Sequence, residues 1–202
     1  MIDHGIDVAI IDSGGANLAS LQFALDRLGV RSLVTSDAQR IAAAPRVLLP
    51  GVGAAGDAMR RLRTTGLDKL IPRLQMPLLG ICLGMQLLFE YSSEDDTPCL
   101  GVLPGRIDRL QPSTRLPVPH MGWNTLEITG EDTLLRGIAP CDHVYFVHSY
   151  AAPISDSTRA AVSYGSSFAA VVRQGNFCGV QFHPERSAAV GARLLHNFMA
   201  PQ

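Results

Sequence analysis

The sequence predicts an α/β fold: a three-layer sandwich around a central, mostly parallel sheet, with additional antiparallel strands in the C-terminal half. Three observations carry this expectation. Short, nearly continuous apolar runs, DVAIID (7–12), RVLLP (46–50) and PLLGIC (77–82), suit strands covered on both faces. Segments with helical periodicity lie between them, and that alternation belongs to helices layered on a parallel sheet. After Tyr91 the texture changes to acidic and proline-rich loops followed by closely spaced strand-like runs. With 202 residues, the chain is expected to form one domain spanning 1–202.

The elements follow in order. After the first strand comes NLASLQFALDRLG, in which Leu18, Leu21, Leu25 and Leu28 recur at spacings of three and four, and Gly29 stands where a helix would end. Ser36 and Gln39 form a capping box ahead of RIAAA, which Pro45 stops. RVLLP runs into PGVGAAG (50–56), a glycine-rich turn from strand to helix. PLLGIC hands over to a helix that begins at Leu83. The acidic loop SSEDD and a passage from Pro98 to Pro119 follow, and that passage reads equally as surface loops or as a functional segment. HVYFVHSY (143–150), RAAVSYG (159–165), FAAVVRQ (168–174) and FCGVQFH (177–183) read as strands, the last two joined by a hairpin turn at QGN. AAVGARLLHNFM (188–199) is the closing helix.

Composition narrows the function. Lysines plus arginines (17) nearly balance aspartates plus glutamates (18), so no strong field favours nucleic acid or an anionic membrane. A small uncharged or zwitterionic substrate fits better. The N-terminal stretch MIDHGIDVAI has no basic segment before its brief apolar run, and the apolar region from Met76 to Phe89 is interrupted by two glycines and Gln86. The expectation is a soluble, cytoplasmic protein. Cys82, Cys99, Cys141 and Cys178 show no C-x-x-C spacing, so neither a zinc site nor a disulfide framework is expected, and no cofactor is implied.

The chemistry centres on GICLG (80–84). A nucleophile on a tight strand-to-helix turn needs glycines on both sides, because the strained backbone crowds any side chain and substrate must approach closely. This is the cysteine counterpart of the G-x-S-x-G elbow, in which the residue after the nucleophile, here Leu83, offers its N–H to an oxyanion. A helix starting at Leu83 would place a positive dipole end under the sulfur. Taken alone, the pattern is equally that of an inert core cysteine. Among six histidines, His183 in QFHPE stands at the end of a core strand with Glu185 two residues on. In an extended segment the two side chains point the same way, so Glu185 can orient His183 while His183 takes the thiol proton. Read alone, HPE is also the pattern of a histidine satisfied at a strand end. Gly51, Val52 and Gly53 free the backbone to present N–H donors. The absence of a following Lys-Ser/Thr excludes a phosphate loop.

Together, GICLGMQ, PGVGAAGDAM, PHMGWN, YFVHSY and GVQFHPERS resemble the class I glutamine amidotransferases, and among them the glutaminase subunits of imidazole glycerol phosphate synthase, over Asp7 to Phe198. The resemblance implies Cys82 as nucleophile, His183 as general base and then acid, and Glu185 as orienting carboxylate. It implies an oxyanion site built by Gly51, Val52 and Gly53, with the Val52 N–H turning inward on activation and the Leu83 N–H as its partner. Gln86, with His148, Ser149 and Tyr150, would hold the amino-acid end of glutamine. The implied partner is a (β/α)8-barrel cyclase subunit that consumes the ammonia, with Asn17, His120, Met121, Trp123 and Arg186 as contacts. Ser13 and Ala16 in DSGGAN, and Arg186 in place of the usual lysine, depart from the family pattern on the partner side. Three other uses of these residues stand beside this one: a stand-alone hydrolase of γ-glutamyl or peptide bonds, the glutaminase of another amidotransferase, and a non-enzymatic subunit with a vestigial pocket. The intact Cys82, His183 and Glu185 oppose the last.

Overall fold

The computed structural model describes residues 5–14, 18–114 and 116–200. Asn17 and Ala16 lie outside the described residues. The chain runs through β1 (Val8–Ile11), α1 (Leu18–Asp26), β2 (Ser32–Thr35), α2 (Ala38–Ala43), β3 (Val47–Gly51), α3 (Ala55–Thr64), α4 (Leu67–Leu70), β4 (Leu78–Cys82) and α5 (Leu83–Gln86). It continues with β5 (Phe89–Ser92), β6 (Thr97–Pro98), β7 (Leu103–Arg109), β8 (His120–Thr125), β9 (Glu127–Ile128), β10 (His143–His148) and β11 (Tyr150–Ala151). It ends with β12 (Thr158–Tyr164), β13 (Ser166–Gln174), β14 (Phe177–Val180) and α6 (Ala188–Met199).

Eight strands form the main sheet, in the order β2-β1-β3-β4-β14-β13-β12-β9. The first five are parallel and the last three antiparallel, so the sheet is mixed, with its parallel half carrying the N-terminal strands. Alternation along the parallel strands sorts their side chains onto two faces. Val8, Ile10, Leu48, Leu79 and Ile81 join one apolar cluster with Leu21 and Leu25 of α1 and Leu194, Leu195 and Phe198 of α6. Ile11, Val47, Leu49 and Leu78 join the other with Ile41 of α2, Met59 and Leu62 of α3 and Leu67 of α4. These two cores on opposite faces are the three layers.

Two smaller sheets flank the main one: β11-β7-β5-β6, and the antiparallel pair β10-β8. The proline-rich passage is therefore not all loop, since it contains the seven residues of β7. Three further details differ from expectation. SLVT forms β2, a half-buried edge strand whose short run lacks the all-apolar texture of its neighbours. The cap of α2 is Asp37, whose carboxylate accepts from the Gln39 and Arg40 amides at 2.8 and 3.3 Å, rather than Ser36. The strand read through His183 ends at Val180. At the end of α1, Gly29 adopts φ +72° while its N–H bonds Asp26 O and the Val30 N–H bonds Leu25 O, a Schellman ending where the sequence placed it.

Candidate active site

Cys82 ends β4 with φ 54° and ψ −113°, a strained backbone that lifts the thiol off the sheet edge into the turn of α5. The flanking glycines have a packing reason. A Cβ on Gly84 would lie 1.7 Å from the Leu49 carbonyl oxygen of β3, and one on Gly80 would lie 2.7 Å from the Gly84 carbonyl oxygen. The elbow therefore folds back onto its own sheet, and the glycines serve that contact rather than opening space for a substrate. The helix expected after Leu83 is a single turn of four residues, so its dipole is that of one turn.

β14 lies beside β4, pairing Val180 with Ile81, and so brings His183 to the sulfur. The His183 N–H bonds the Tyr145 carbonyl at 3.0 Å, and the Ser187 hydroxyl donates to the His183 carbonyl at 2.7 Å, which fixes the ring's base. Glu185 reaches His183 Nδ1 at 2.8 Å, not along an extended strand but through the 3-10 turn Pro184–Arg186 that begins after His183. With Nδ1 donating to Glu185, the other ring nitrogen is left for the thiol. Burial alone would push the His183 imidazole down. Hydrogen bonding and charge attraction from Cys82 and Glu185 outweigh it and hold the ring well above the ordinary histidine value. The direction favours the imidazolium form of His183.

Cys82, Leu83 and His183 open onto a cavity of about 460 Å³, lined also by Val52, Gly53, Gln86, Glu94, Pro119, Val147, His148, Ser149, Tyr150 and Arg186. The size suits an amino acid. Gly51 lies behind the wall, beside a smaller cleft it shares with Pro50, Val52 and Glu185. Ser13 donates from its hydroxyl to the Pro50 carbonyl at 3.0 Å, while the Arg61 guanidinium of α3 donates to the Ser13 and Gly14 carbonyls at 3.2 and 2.8 Å. The loop after β1 is thus tied to Pro50, just before the Gly51-Val52-Gly53 segment, and to α3, the helix that follows it. Gln86 is buried, and its amide nitrogen donates to Tyr150 O at 2.8 Å and Gln181 Oε1 at 2.9 Å. His148 borders the cavity, and its ring nitrogens bond His120 Nδ1 at 3.0 Å and Tyr150 O at 2.8 Å.

His120, expected at the contact surface, is buried at 3% exposure, stacked between Phe146 and Tyr164 with centroids at 4.8 and 4.0 Å. Its neighbours in β8 face outward: Met121 is 63% and Trp123 53% exposed. Trp123 meets the Tyr145 ring edge-on at 5.9 Å, and the Arg186 guanidinium lies 4.6 Å over that same ring. An exposed strip of aromatic, thioether and guanidinium groups therefore runs from β8 to the mouth of the cavity.

Two residues of the site were missed. Glu94 sits on the cavity wall and accepts from the Ala55 N–H at 2.8 Å; burial raises its pKa, with the Ala55 bond opposing and Asp95 assisting. Within SSEDD it is indistinguishable from an ordinary solvated charge. Gln181 places Nε2 3.8 Å from the Cys82 sulfur. A polar residue inside the apolar run FCGVQF was the available signal.

A strained cysteine turn, a histidine raised by that cysteine and by a carboxylate, and a neighbouring glycine-rich strand end, all on a mixed α/β sheet, are the arrangement of a thiol amidase of the glutaminase type. The glutamine amidotransferase class-I family model matches residues 9–201, and the chain belongs to that family. Among curated proteins it is similar to imidazole glycerol phosphate synthase subunit HisH of Xanthomonas campestris pv. campestris, with 55% identity covering 96% of each chain. The HisH of Xylella fastidiosa strain Temecula1 is 54% identical over the same 96% of each. Among solved structures, a glutamine amidotransferase superposes with a TM-score of 0.72 at 20% identity, covering 95% of this chain and 96% of that one. PurLQS from Thermotoga maritima does so at 0.71, 20% identity, 95% and 96%. At that identity the structures speak for the fold alone.

Proposed function

We propose that this chain is the glutaminase subunit of an imidazole glycerol phosphate synthase, acting as the single domain 1–202. It hydrolyses glutamine to glutamate and ammonia for a cyclase step in histidine biosynthesis. The reading is supported above all by the close approach of Cys82, His183 and Glu185 at one cavity in a chain 55% identical to HisH relatives over nearly its whole length.

In this reading the Cys82 thiolate attacks the carboxamide carbon of glutamine, and the developing oxyanion is met by the Leu83 and Val52 N–H groups flanked by Gly51 and Gly53. The His183 imidazolium, held by Glu185, gives its proton to the departing nitrogen as the C–N bond breaks. Ammonia leaves, and a γ-glutamyl thioester remains. His183, now neutral, takes a proton from water as it attacks the thioester, and glutamate leaves with the thiolate restored. Glu94 supplies an anionic group for the α-ammonium, while Ser149, Tyr150, Gln86 and the backbone of His148 border the carboxylate end.

Ammonia that escapes into neutral water becomes ammonium and loses its nucleophilicity, so it must pass directly to a partner. The partner is a (β/α)8-barrel cyclase subunit joined as a heterodimer in the cytoplasm, seated on Met121, Trp123 and Arg186, with Asn17 a further contact. Purified chain should release glutamate slowly, and far faster with the cyclase subunit and its nucleotide. Cys82→Ala should abolish glutamine-dependent synthesis in the complex while ammonia-dependent synthesis persists. Full glutaminase activity without a partner sinks the activation by the cyclase subunit, and residual glutaminase in Cys82→Ala sinks the nucleophile.

A further inference from the structure

The Cys82 sulfur has a polar neighbour that the steps above do not use. Gln181 is fully buried next to β14, its Nε2 3.8 Å from Sγ. A buried carboxamide must have each oxygen and nitrogen assigned by its surroundings. The assignment starts at the Tyr150 carbonyl, which can only accept. Gln86 Nε2 donates to it at 2.8 Å, and the same NH2 group donates to Gln181 Oε1 at 2.9 Å. With its oxygen thus committed, Gln181 must turn its NH2 toward the sulfur.

The same carbonyl fixes a second arm. His148 Nδ1 donates to Tyr150 O at 2.8 Å, which leaves His148 Nε2 to accept from His120 Nδ1 at 3.0 Å. His120 Nε2 then accepts from the Asn124 amide at 3.4 Å. Both rings are neutral in this pattern. Burial agrees, pushing His120 down to about 4 and His148 down to about 3.

We infer that Gln181 is a further catalytic residue: its carboxamide N–H donates to the Cys82 sulfur and favours the thiolate, and the donor orientation is locked by Gln86 and the Tyr150 carbonyl. The inference deepens the glutaminase reading and rests on it. A donor counts most when the sulfur carries a full charge, which is the state before attack and again as the thioester breaks. No atom is transferred to or from Gln181.

The test compares the parent chain with Gln181→Met, which keeps length and removes the donor. The rate of Cys82 alkylation by iodoacetamide is followed against pH in the free chain, and kcat and KM for glutamine are measured in the complex. Among the described residues, the titratable or charged groups lining the cavity onto which the sulfur opens are Glu94, His148, Tyr150, His183 and Arg186, with Glu185 behind His183, and all stay unaltered. The half-maximal alkylation rate should move up by about one pH unit, and kcat should fall about tenfold to a hundredfold with KM within about threefold. Gln86→Met frees the Gln181 amide and should move the profile the same way by less, giving a readout should Gln181→Met fail to fold. A reactive parent thiol with an unmoved profile in the folded variants overturns the role of Gln181 alone. A parent thiol that does not react, with no glutaminase in the complex, overturns the underlying reading.

Discussion

Cys82 and Gly84 illustrate how little room the turn after β4 has. With a Cβ placed 1.7 Å from the Leu49 carbonyl oxygen, Gly84→Ala must push β3 and the elbow apart. The offending atom is backbone, so no side chain can yield. We expect Gly84→Ala to lose soluble folded protein or to melt at least 5 °C lower, roughly the effect of 1–2 kcal/mol or more in a chain of this size; an unchanged melting temperature contradicts the close approach. At this scale the sequence was informative where a residue type is demanded by geometry. The paired glycines and the histidine–glutamate spacing drew attention to the residues that meet at the cavity, although the reason for the glycines was close packing and Glu185 arrives by a turn. It was silent where a side chain's role depends on which way it faces. His120 and His148 share a ring-to-ring bond that no linear spacing announces, and Glu94 lies in a run of charges.

Among the elements, the strands of the parallel half were legible because burial on both faces leaves an unbroken apolar run. β2 escaped notice because an edge strand keeps polar residues, and β5 to β7 because proline and turn residues mask short pairings. The cap of α2 shows the limit of pattern: Ser36 and Asp37 are both good caps, and only the backbone decides that Asp37 is the residue flanking the first helical position. β8 belongs to the proposed docking surface because alternation sends His120 into the core while Met121 and Trp123 remain exposed. Truncating Trp123 to Ala should weaken association with the cyclase subunit about tenfold to a hundredfold, with the free chain's melting temperature nearly unchanged. Titration calorimetry measures this, and unaltered affinity would remove β8 from the docking surface. Ser13, which departs from the family pattern, donates its hydroxyl to Pro50 O next to Gly51, so the loop after β1 is bonded to the glycine segment.

For the molecule as a whole, buried titratable groups set an optimum of stability against pH. His120 and His148 are held below the ordinary value of about 6.5, so below that pH the unfolded chain binds protons that the native state refuses, and stability falls as pH drops. His183 is held above it, so its contribution is complete below about 6.5 and is lost as pH rises. Cys99 and Cys178, pushed by burial to about 11 and about 12, add to the alkaline loss once unfolded thiols ionise. Melting temperatures should therefore peak near pH 6.5 and decline on both sides; a monotonic rise from pH 5 to 9 contradicts this balance. The mixed sheet has a consequence for biogenesis. β14, translated after every other described strand, slots between β4 and β13 and leads into His183 beside a thiol translated long before. Until that insertion a nascent chain holds the Cys82 thiol without its imidazole, so under the proposed mechanism an incomplete product spills no nitrogen from glutamine.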